Sequence, residues 1–483
     1  MSSQNDPSNK PDASDPKQTF NLQSLAPEVV SNIINQVDKN DTLKSLRLVN
    51  KSLDEHARRK MFEQVILAPD ENAIARFEGI ANNETLSLIP RHALIQTRED
   101  LDEHEQDGDP IDEMDDFWDA LTLLAKFPRL NSLHVAFTKN CVGTENEDSM
   151  YIEANEPIAH RVQMLEWIFQ AIKDRMNVEG ASRIRSLTLQ NLQNAPIDAF
   201  TGSELFSTVM QQLDELHIGL IQEYNEHGPD HDYTCIELQT FPAHLCSKWL
   251  KPVAPNLRAL SLYSATENWG CFPGYFDPSG ISFPKLETLS LGYYTIAHDD
   301  QLDWILAQHK SLTKLVLHNC MIASLIRIDK TNMAQWKPST HDWEKLPPRT
   351  HDWADEFRYR GTWSYFFDKI AEGLPNLKEF CFRQVDVHPR WGSEEKEYGV
   401  GNRLEHGGAV VFPERYIAFN NGILPTHWPE AEKSGELRDY LDGDDESEDP
   451  NFHKEFLEGD RRSLERLVEI CRGRREGGAR GEL

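Results

Sequence analysis

The sequence predicts an α/β protein, with a short helical module near the N-terminus and a long array of helix-strand units behind it. Three observations lead to this prediction. Residues 20–67 carry apolar side chains at helical spacing, and seven copies of the pattern L-x-x-L-x-L follow between residues 130 and 382. Between these copies the apolar residues return to helical spacing. Short strands alternating with helices are typical of the α/β class.

The first stretch, residues 20–67, is expected to form three short helices. Pro27 suits a first helical turn, because its missing N–H is not needed there, and Glu28 beside it favours the positive end of the helix dipole. Asp41 is expected to be the N-cap of the second helix. On the first helix, five apolar residues share one face: Val29, Val30, Ile33, Ile34 and Val37. About 45 residues rarely bury enough surface to be stable alone, so this module is expected to dock on a partner or a neighbouring domain.

The order of residues in this module is more specific than its helices. It runs L-x-P-E, then paired isoleucines, then L-x-x-L-R-L-V-x-K. This order resembles the F-box, the segment through which family members bind a Skp-type adaptor within a cullin-based ubiquitin ligase. Ala26 replaces the more usual first proline, and Leu53 stands where many members have Trp or Phe. The resemblance implies adaptor-binding roles for the residues at the recurring positions: Leu25, Pro27, Glu28, Ile33, Ile34, Leu46, Leu48, Val49 and Lys51.

The repeated pattern describes a short strand entered through a turn. Its last two apolar residues share one strand face, and proline often precedes it, as in FPRL, APNL, FPKL and LPNL. The pattern resembles the leucine-rich repeat, which implies a stack with parallel strands on the concave side and helices on the convex side. The copies begin at Leu130, Ile184, Leu213, Leu257, Leu286, Leu312 and Leu377.

The copies are unevenly spaced, so the predicted fold is a three-helix F-box followed by an irregular leucine-rich-repeat-like solenoid with long loop insertions. The insertions are expected at 221–256, 265–282 and 323–360. The expected domains are a disordered leader at 1–19, the F-box at 20–67, a connector with an acidic loop at 68–116 and the solenoid at 117–390. A loop-rich acidic segment at 391–450 and a C-terminal helix with a basic tail at 451–483 complete the chain.

Composition narrows the class of function. The formal net charge is -30 and the pI is near 5.0, which repels DNA and RNA and argues against nucleic-acid binding. Neither a signal peptide nor an apolar run near the ~20 residues of a membrane span is evident, so a soluble protein of the cytoplasm, the nucleus or both is expected. The seven cysteines include no C-x-x-C pair, which favours reduced core thiols over a disulfide scaffold or a zinc module.

No segment carries a recognisable catalytic, cofactor or metal motif, so the chain is not expected to be an enzyme. HGPDHD at 227–232 clusters two His and two Asp, but its Gly-Pro predicts a turn without a further ligand group at fixed spacing. THDW occurs twice, at 340–343 and 350–353. A local duplication explains the echo, and a tryptophan that anchors a ligand peptide is the alternative.

The resemblance therefore implies a substrate-recognition subunit of a Skp-cullin-F-box ubiquitin ligase. Its partners would be a Skp-type adaptor, through it a cullin, and an unknown protein substrate held by the repeats. The alternative is an F-box or leucine-rich-repeat scaffold outside the ligase, in which the first helices only cap the repeats. That alternative predicts that Ile33 and Val49 turn inward. A hydrolase assembled from His and carboxylates on separate insertions is a more remote alternative.

Overall fold

The structure is a computed structural model that divides the chain into two compact units, Met1–Gln64 and Val65–Leu483. It describes residues 25–37, 39–98, 114–139, 141–144, 156–223, 235–264, 269–271, 273–347, 353–383, 415–420 and 454–480. The leader predicted at 1–19, most of the acidic loop at 99–116 and most of the acidic segment at 391–450 lie outside these ranges.

The first unit contains three helices, α1 (Pro27–Asn35), α2 (Asn40–Arg47) and α3 (Lys51–Met61). Pro27 occupies the first position of α1, as its chemistry favours. Asp41 is not an N-cap, because α2 already begins at Asn40 and places Asp41 in its first turn. The core of this unit is small and consists of Val30, Ile34, Leu43, Leu53 and Ala57.

The second unit is built on a nine-stranded sheet whose strands follow one another in space in chain order. Each pair with a defined register, from the second strand to the last, is parallel. The strands are β1 (Gln64–Leu67), β2 (His92–Gln96), β3 (Ser132–Ala136), β4 (Ser186–Gln193), β5 (Glu215–Ile221), β6 (Ala259–Ser264), β7 (Thr288–Gly292), β9 (Lys314–His318) and β13 (Glu379–Arg383).

Helices connect most of these strands, as parallel pairing requires. They are α4 (Glu71–Ala81), α5 (Asp115–Thr122), α6 (Ile158–Arg175), α7 (Asp198–Thr201), α8 (Glu204–Met210), α9 (Ile236–His244), α10 (Lys251–Val253), α11 (Asp303–Leu306), α12 (Lys330–Trp336) and α13 (Trp363–Gly373). A further helix, α14 (Lys454–Arg480), follows the last strand. Short segments of other helical types occupy Leu123–Lys126 and Leu245–Leu250.

The core of this unit follows the apolar positions of the repeated pattern. Strand registers align the central residues of the copies across the sheet, and every one is buried: Leu133, Leu187, Leu216, Leu260, Leu289, Leu315 and Phe380. Helical side chains extend this layer. Phe206 of α8, for example, has its ring centroid 5.7 Å from Phe169 of α6 and 5.1 Å from Trp249. Burial of this apolar layer is the main force that holds sheet and helices together.

A second, five-stranded sheet forms where long loops were expected. It contains β8 (Thr295–Ile296), β10 (Met321–Asp329), β11 (Trp343–Lys345), β12 (Ala354–Tyr359) and β14 (Tyr416–Asn420). β12 pairs antiparallel with β10 and β11, whereas β8 and β14 pair parallel with β10. The loop prediction for 323–360 is therefore wrong over most of that range. Because β10 is buried along nearly its whole length, its sequence lacks the polar alternation that marks a strand.

The C-terminal helix expected within residues 451–483 is present as α14. Leu467 and Cys471 on this helix are buried. Asp460 accepts a hydrogen bond from the backbone N–H of Ser364 at 2.7 Å, at the start of α13. Arg474 donates to the carbonyls of Ala371 and Leu374 near the C-terminus of α13, at 3.0 and 2.8 Å. The helix therefore satisfies backbone groups at both ends of α13.

The predicted fold, an F-box followed by an irregular leucine-rich-repeat-like solenoid with long loop insertions, is wrong. The structure is an α/β protein with a large parallel nine-stranded sheet. The pattern L-x-x-L-x-L specifies a strand that buries alternate apolar residues, and such strands suit any parallel sheet covered by helices. The pattern L-x-x-L-x-L does not predict the strands of the second sheet.

The helices and the cysteines bear on two expectations drawn from composition. None of the helices in the described ranges combines the length and the apolar content needed to cross a lipid bilayer. All seven cysteines are free, and five of them are buried. Burial raises the pKa of the Cys141, Cys246 and Cys320 thiols to about 12, so these three remain protonated core groups.

Candidate functional site

The first unit exposes apolar side chains that its small core does not use. Val29 and Ile33 are one helical turn apart on α1, and 43% and 41% of their surfaces are exposed. Leu48 and Val49 follow α2 directly, and they are 88% and 65% exposed. We call these four residues the exposed apolar pairs. Large apolar side chains exposed to this extent on so small a unit are typical of an interaction surface.

An ion-pair cluster holds the turn that carries Leu48 and Val49. The Nε of Arg47, the last residue of α2, donates to Asp54 of α3 at 2.8 Å. Arg58 lies 4.0 Å from the same carboxylate. The hydrogen bond from Arg47 lowers the pKa of Asp54. Asn50 caps α3 by accepting from the backbone N–H of Leu53 at 2.9 Å. The residues on both sides of the turn are thus hydrogen-bonded to α3.

The nine residues predicted to bind an adaptor fall into three groups. Most are exposed and available to a partner. Two are half-buried. Ile34 is only 2% exposed and belongs to the core, where it packs with Val30 and Leu43 rather than facing outward. The exposed group is Pro27, Glu28, Ile33, Leu48, Val49 and Lys51, and the half-buried pair is Leu25 and Leu46.

Sequence reasoning missed one member of the exposed apolar pairs. Val29 was placed on the same helix face as its neighbours but was not expected to bind a partner. Its spacing of four residues from Ile33 is the signal that would have found it. The same spacing joins Val30 to Ile34, and this second pair is buried instead. Periodicity predicts which residues share a face, but the packing of α2 and α3 decides which of two adjacent faces is buried.

The nine-stranded sheet also has a polar face. Side chains that alternate with the buried apolar rows pair across neighbouring strands. His134 of β3 hydrogen-bonds Gln190 of β4 at 2.8 Å, and His217 of β5 hydrogen-bonds Ser261 of β6 at 2.9 Å. Burial lowers the pKa of His134 to about 4, so its ring is neutral near pH 7. Gln190, His217 and Ser261 are at most 4% exposed, so these pairs are interior contacts of the sheet and not an open surface for a partner.

The structure describes part of the repeated THDW motif but none of the HGPDHD motif. HGPDHD at 227–232 lies outside the described residues. In the first THDW copy, Trp343 is 8% exposed and donates its indole N–H to the Ala297 carbonyl at 2.7 Å, so it is a core residue and not an exposed anchor. Of the second copy only Trp353 is described, and its ring lies 4.5 Å from the Arg327 guanidinium carbon.

The first THDW copy takes part in the one group of potential metal ligands found within the described ranges. His298, His341 and Asp342 bring their ligand atoms within 4.8 Å of one another. His298 follows β8, and the other two residues precede β11. Sequence reasoning did not predict a metal site here, because 43 residues separate His298 from His341 and no fixed spacing joins them.

Comparison of the chain with models of known protein families gives no match, and comparison with curated proteins gives no match either.

Proposed function

We propose that this chain is the substrate-recognition subunit of a Skp-cullin-F-box ubiquitin ligase. Residues 25–51 would bind the Skp-type adaptor, and the second unit would hold a protein substrate. The observation that carries the proposal is the exposure of Ile33, Leu48 and Val49, three apolar residues at positions that match the family pattern. The expected compartment is the cytoplasm, the nucleus or both.

The physics of the exposed apolar pairs supports an association of this kind. Transfer of apolar surface out of water contributes roughly 25 cal/mol per Å². Residues one turn apart on a short amphipathic helix are the anchors used when a helix docks in an apolar groove. The hydrogen bond from Arg47 to Asp54 and the Asn50 cap order the turn between α2 and α3, so less conformational entropy is lost on binding.

The proposed role requires no chemistry from this chain. A ligase receptor raises the effective concentration of a substrate near a ubiquitin-conjugating enzyme that other subunits supply. The substrate would be held by the second unit.

The alternative, a scaffold outside the ligase whose first helices are only a cap, makes a different demand on two residues. It requires Ile33 and Val49 to be turned inward. Both are exposed, at 41% and 65%, and neither belongs to the core of the first unit.

The test is co-purification of the full chain with a Skp-type adaptor, comparing wild type with the double variant Ile33→Asp, Val49→Asp. We expect the wild type to form a stable complex and the double variant to lose it. Both positions are exposed, so the aspartates are not expected to unfold the first unit.

The matched control is the double variant Leu88→Asp, Val178→Asp, which changes two apolar residues of the second unit that are 48% and 39% exposed. It should bind like the wild type. If folded wild-type protein does not bind the adaptor, the ligase role is wrong. If both double variants lose binding equally, the exposed apolar pairs are not the adaptor site.

A further inference from the structure

The loop after β8 and the turn before β11 bring three metal-ligating side chains together. The Oδ2 atom of Asp342 lies 3.4 Å from Nδ1 of His298 and 3.0 Å from Nε2 of His341. In a tetrahedral zinc site with bonds near 2.1 Å, neighbouring ligand atoms are about 3.4 Å apart. The carboxylate of Asp300 lies 3.8 Å from the same His341 nitrogen and could complete the set.

His298 supplies an independent observation. Its side chain is only 2% exposed, and within the described part of the chain its Nδ1 has no hydrogen-bond partner although it faces Asp342. A buried imidazole nitrogen without a partner is energetically costly. The ring of Trp343 stacks on His298 with centroids 5.1 Å apart and planes at 13°, which holds the imidazole in place. A bound cation would satisfy this nitrogen.

The surroundings of the other two residues also suit a metal. Nδ1 of His341 is 2.8 Å from the hydroxyl of Ser339. When Nδ1 donates to this hydroxyl, Nε2 carries the lone pair that a metal requires, and such outer partners are typical of histidine ligands. The backbone N–H of Asp299 donates to Asp342 at 3.0 Å and orients its carboxylate.

We propose that His298, His341 and Asp342 bind a zinc ion, with Asp300 or water as the fourth ligand. Two imidazoles and a carboxylate form a donor set that zinc accepts readily, whereas magnesium prefers an all-oxygen set. The ion would join the loop after β8 to the turn before β11, both of which belong to the five-stranded sheet. Its role is therefore to stabilise that sheet.

Zinc binding requires one local change. The rings of His298 and His341 are stacked, with centroids 4.8 Å apart and planes at 6°. A ligating imidazole directs its lone pair within its own plane, so one ion cannot lie in both of these nearly parallel planes. His341 is the ring that turns, because half of its side chain is exposed whereas His298 is enclosed.

The experiment measures binding of zinc, and of cobalt as a spectroscopic probe, to the untagged full chain after removal of metal with a chelator. We expect one equivalent to bind, with cobalt absorption bands of a four-coordinate site and a rise in melting temperature with zinc. Loss of a residue that hydrogen-bonds a metal ligand can weaken metal binding by about 100-fold. The variants His341→Ala and Asp342→Asn remove ligands themselves and should weaken zinc binding by more than this.

The control is His309→Ala, which removes an exposed histidine outside the cluster and should leave zinc affinity unchanged. His341 is half exposed, so its variant is expected to fold, and a thermal melt without metal verifies this. Absence of zinc binding by the wild type overturns the proposal. Binding that survives in both His341→Ala and Asp342→Asn overturns it equally, because the metal would then be held elsewhere.

Discussion

Arg161 of α6 and Glu156 form a buried ion pair whose disruption should destabilise the second unit. Their closest charged atoms are 3.4 Å apart, and the side chains are 5% and 0% exposed. Arg161 also donates to the Asn191 carbonyl at 2.7 Å and to the Thr138 carbonyl at 3.0 Å. Glu156 accepts hydrogen bonds from Thr97 and Thr138. The pair thus connects α6 with Thr97 and Thr138, which follow β2 and β3, and with Asn191 within β4.

The expected magnitude follows from these contacts. Replacing Arg161 with Leu leaves the Glu156 charge buried and uncompensated, which typically costs about 3–5 kcal/mol. The carbonyls of Thr138 and Asn191 lose a donor as well, and an unsatisfied buried acceptor costs about 1–3 kcal/mol. The donors that remain on Glu156 offset part of this loss. We therefore expect Arg161→Leu to lower the free energy of unfolding by about 4 kcal/mol.

The assay is equilibrium urea unfolding followed by tryptophan fluorescence. The double variant Glu156→Leu, Arg161→Leu should recover part of the lost stability, because no charge is then left unpaired. The control is Arg185→Leu, which removes a pair at 3.0 Å from Asp214 in which Arg185 is 54% exposed. Such a pair contributes about 0–1 kcal/mol. A loss for Arg161→Leu no larger than that of the control would refute the reasoning.

Two further predictions concern the polar face of the nine-stranded sheet. A Cβ atom at Gly292 of β7 would collide with the Tyr263 ring on β6. Gly292→Ala should therefore lower the free energy of unfolding by about 1–3 kcal/mol through overpacking. Thermal melts should show a smaller loss in a Tyr263→Ala background. The pKa of His134 is about 4 in the folded protein, against 6.5 for a free histidine. Between these pH values the unfolded chain therefore binds a proton that the folded protein does not bind. The free energy of unfolding should therefore fall as the pH falls from 6.5 towards 4, and His134→Gln should remove this pH-dependent part. An NMR titration in which the His134 ring protonates near pH 6.5 would contradict the prediction.

Much of the local structure could be predicted from the sequence. Three helices form between residues 25 and 61 as expected, and the first begins at Pro27, because proline position and apolar period are local signals. The seven repeated patterns each contain a strand, and their central residues are buried as the pattern requires.

The overall fold assignment failed for a physical reason. A pattern of alternating leucines predicts a strand and a parallel neighbour, but it does not specify what the long segments between strands do. Residues 321–359 were expected to be mostly loop and instead supply three strands of the second sheet. β10 is recognisable only through its partners β12 and β14, which lie in distant segments of the chain.

The sequence by itself determined many of the elements: the helices between residues 25 and 61, the seven strands that carry the repeated pattern, and which residues share a face. Tertiary structure alone decided that Ile34 is buried while Ile33 is exposed, and that His298 meets His341 and Asp342. The physical reason is the range of the forces involved. Backbone period and capping act over a few residues, whereas a core or a ligand cluster exists only after distant segments have packed together.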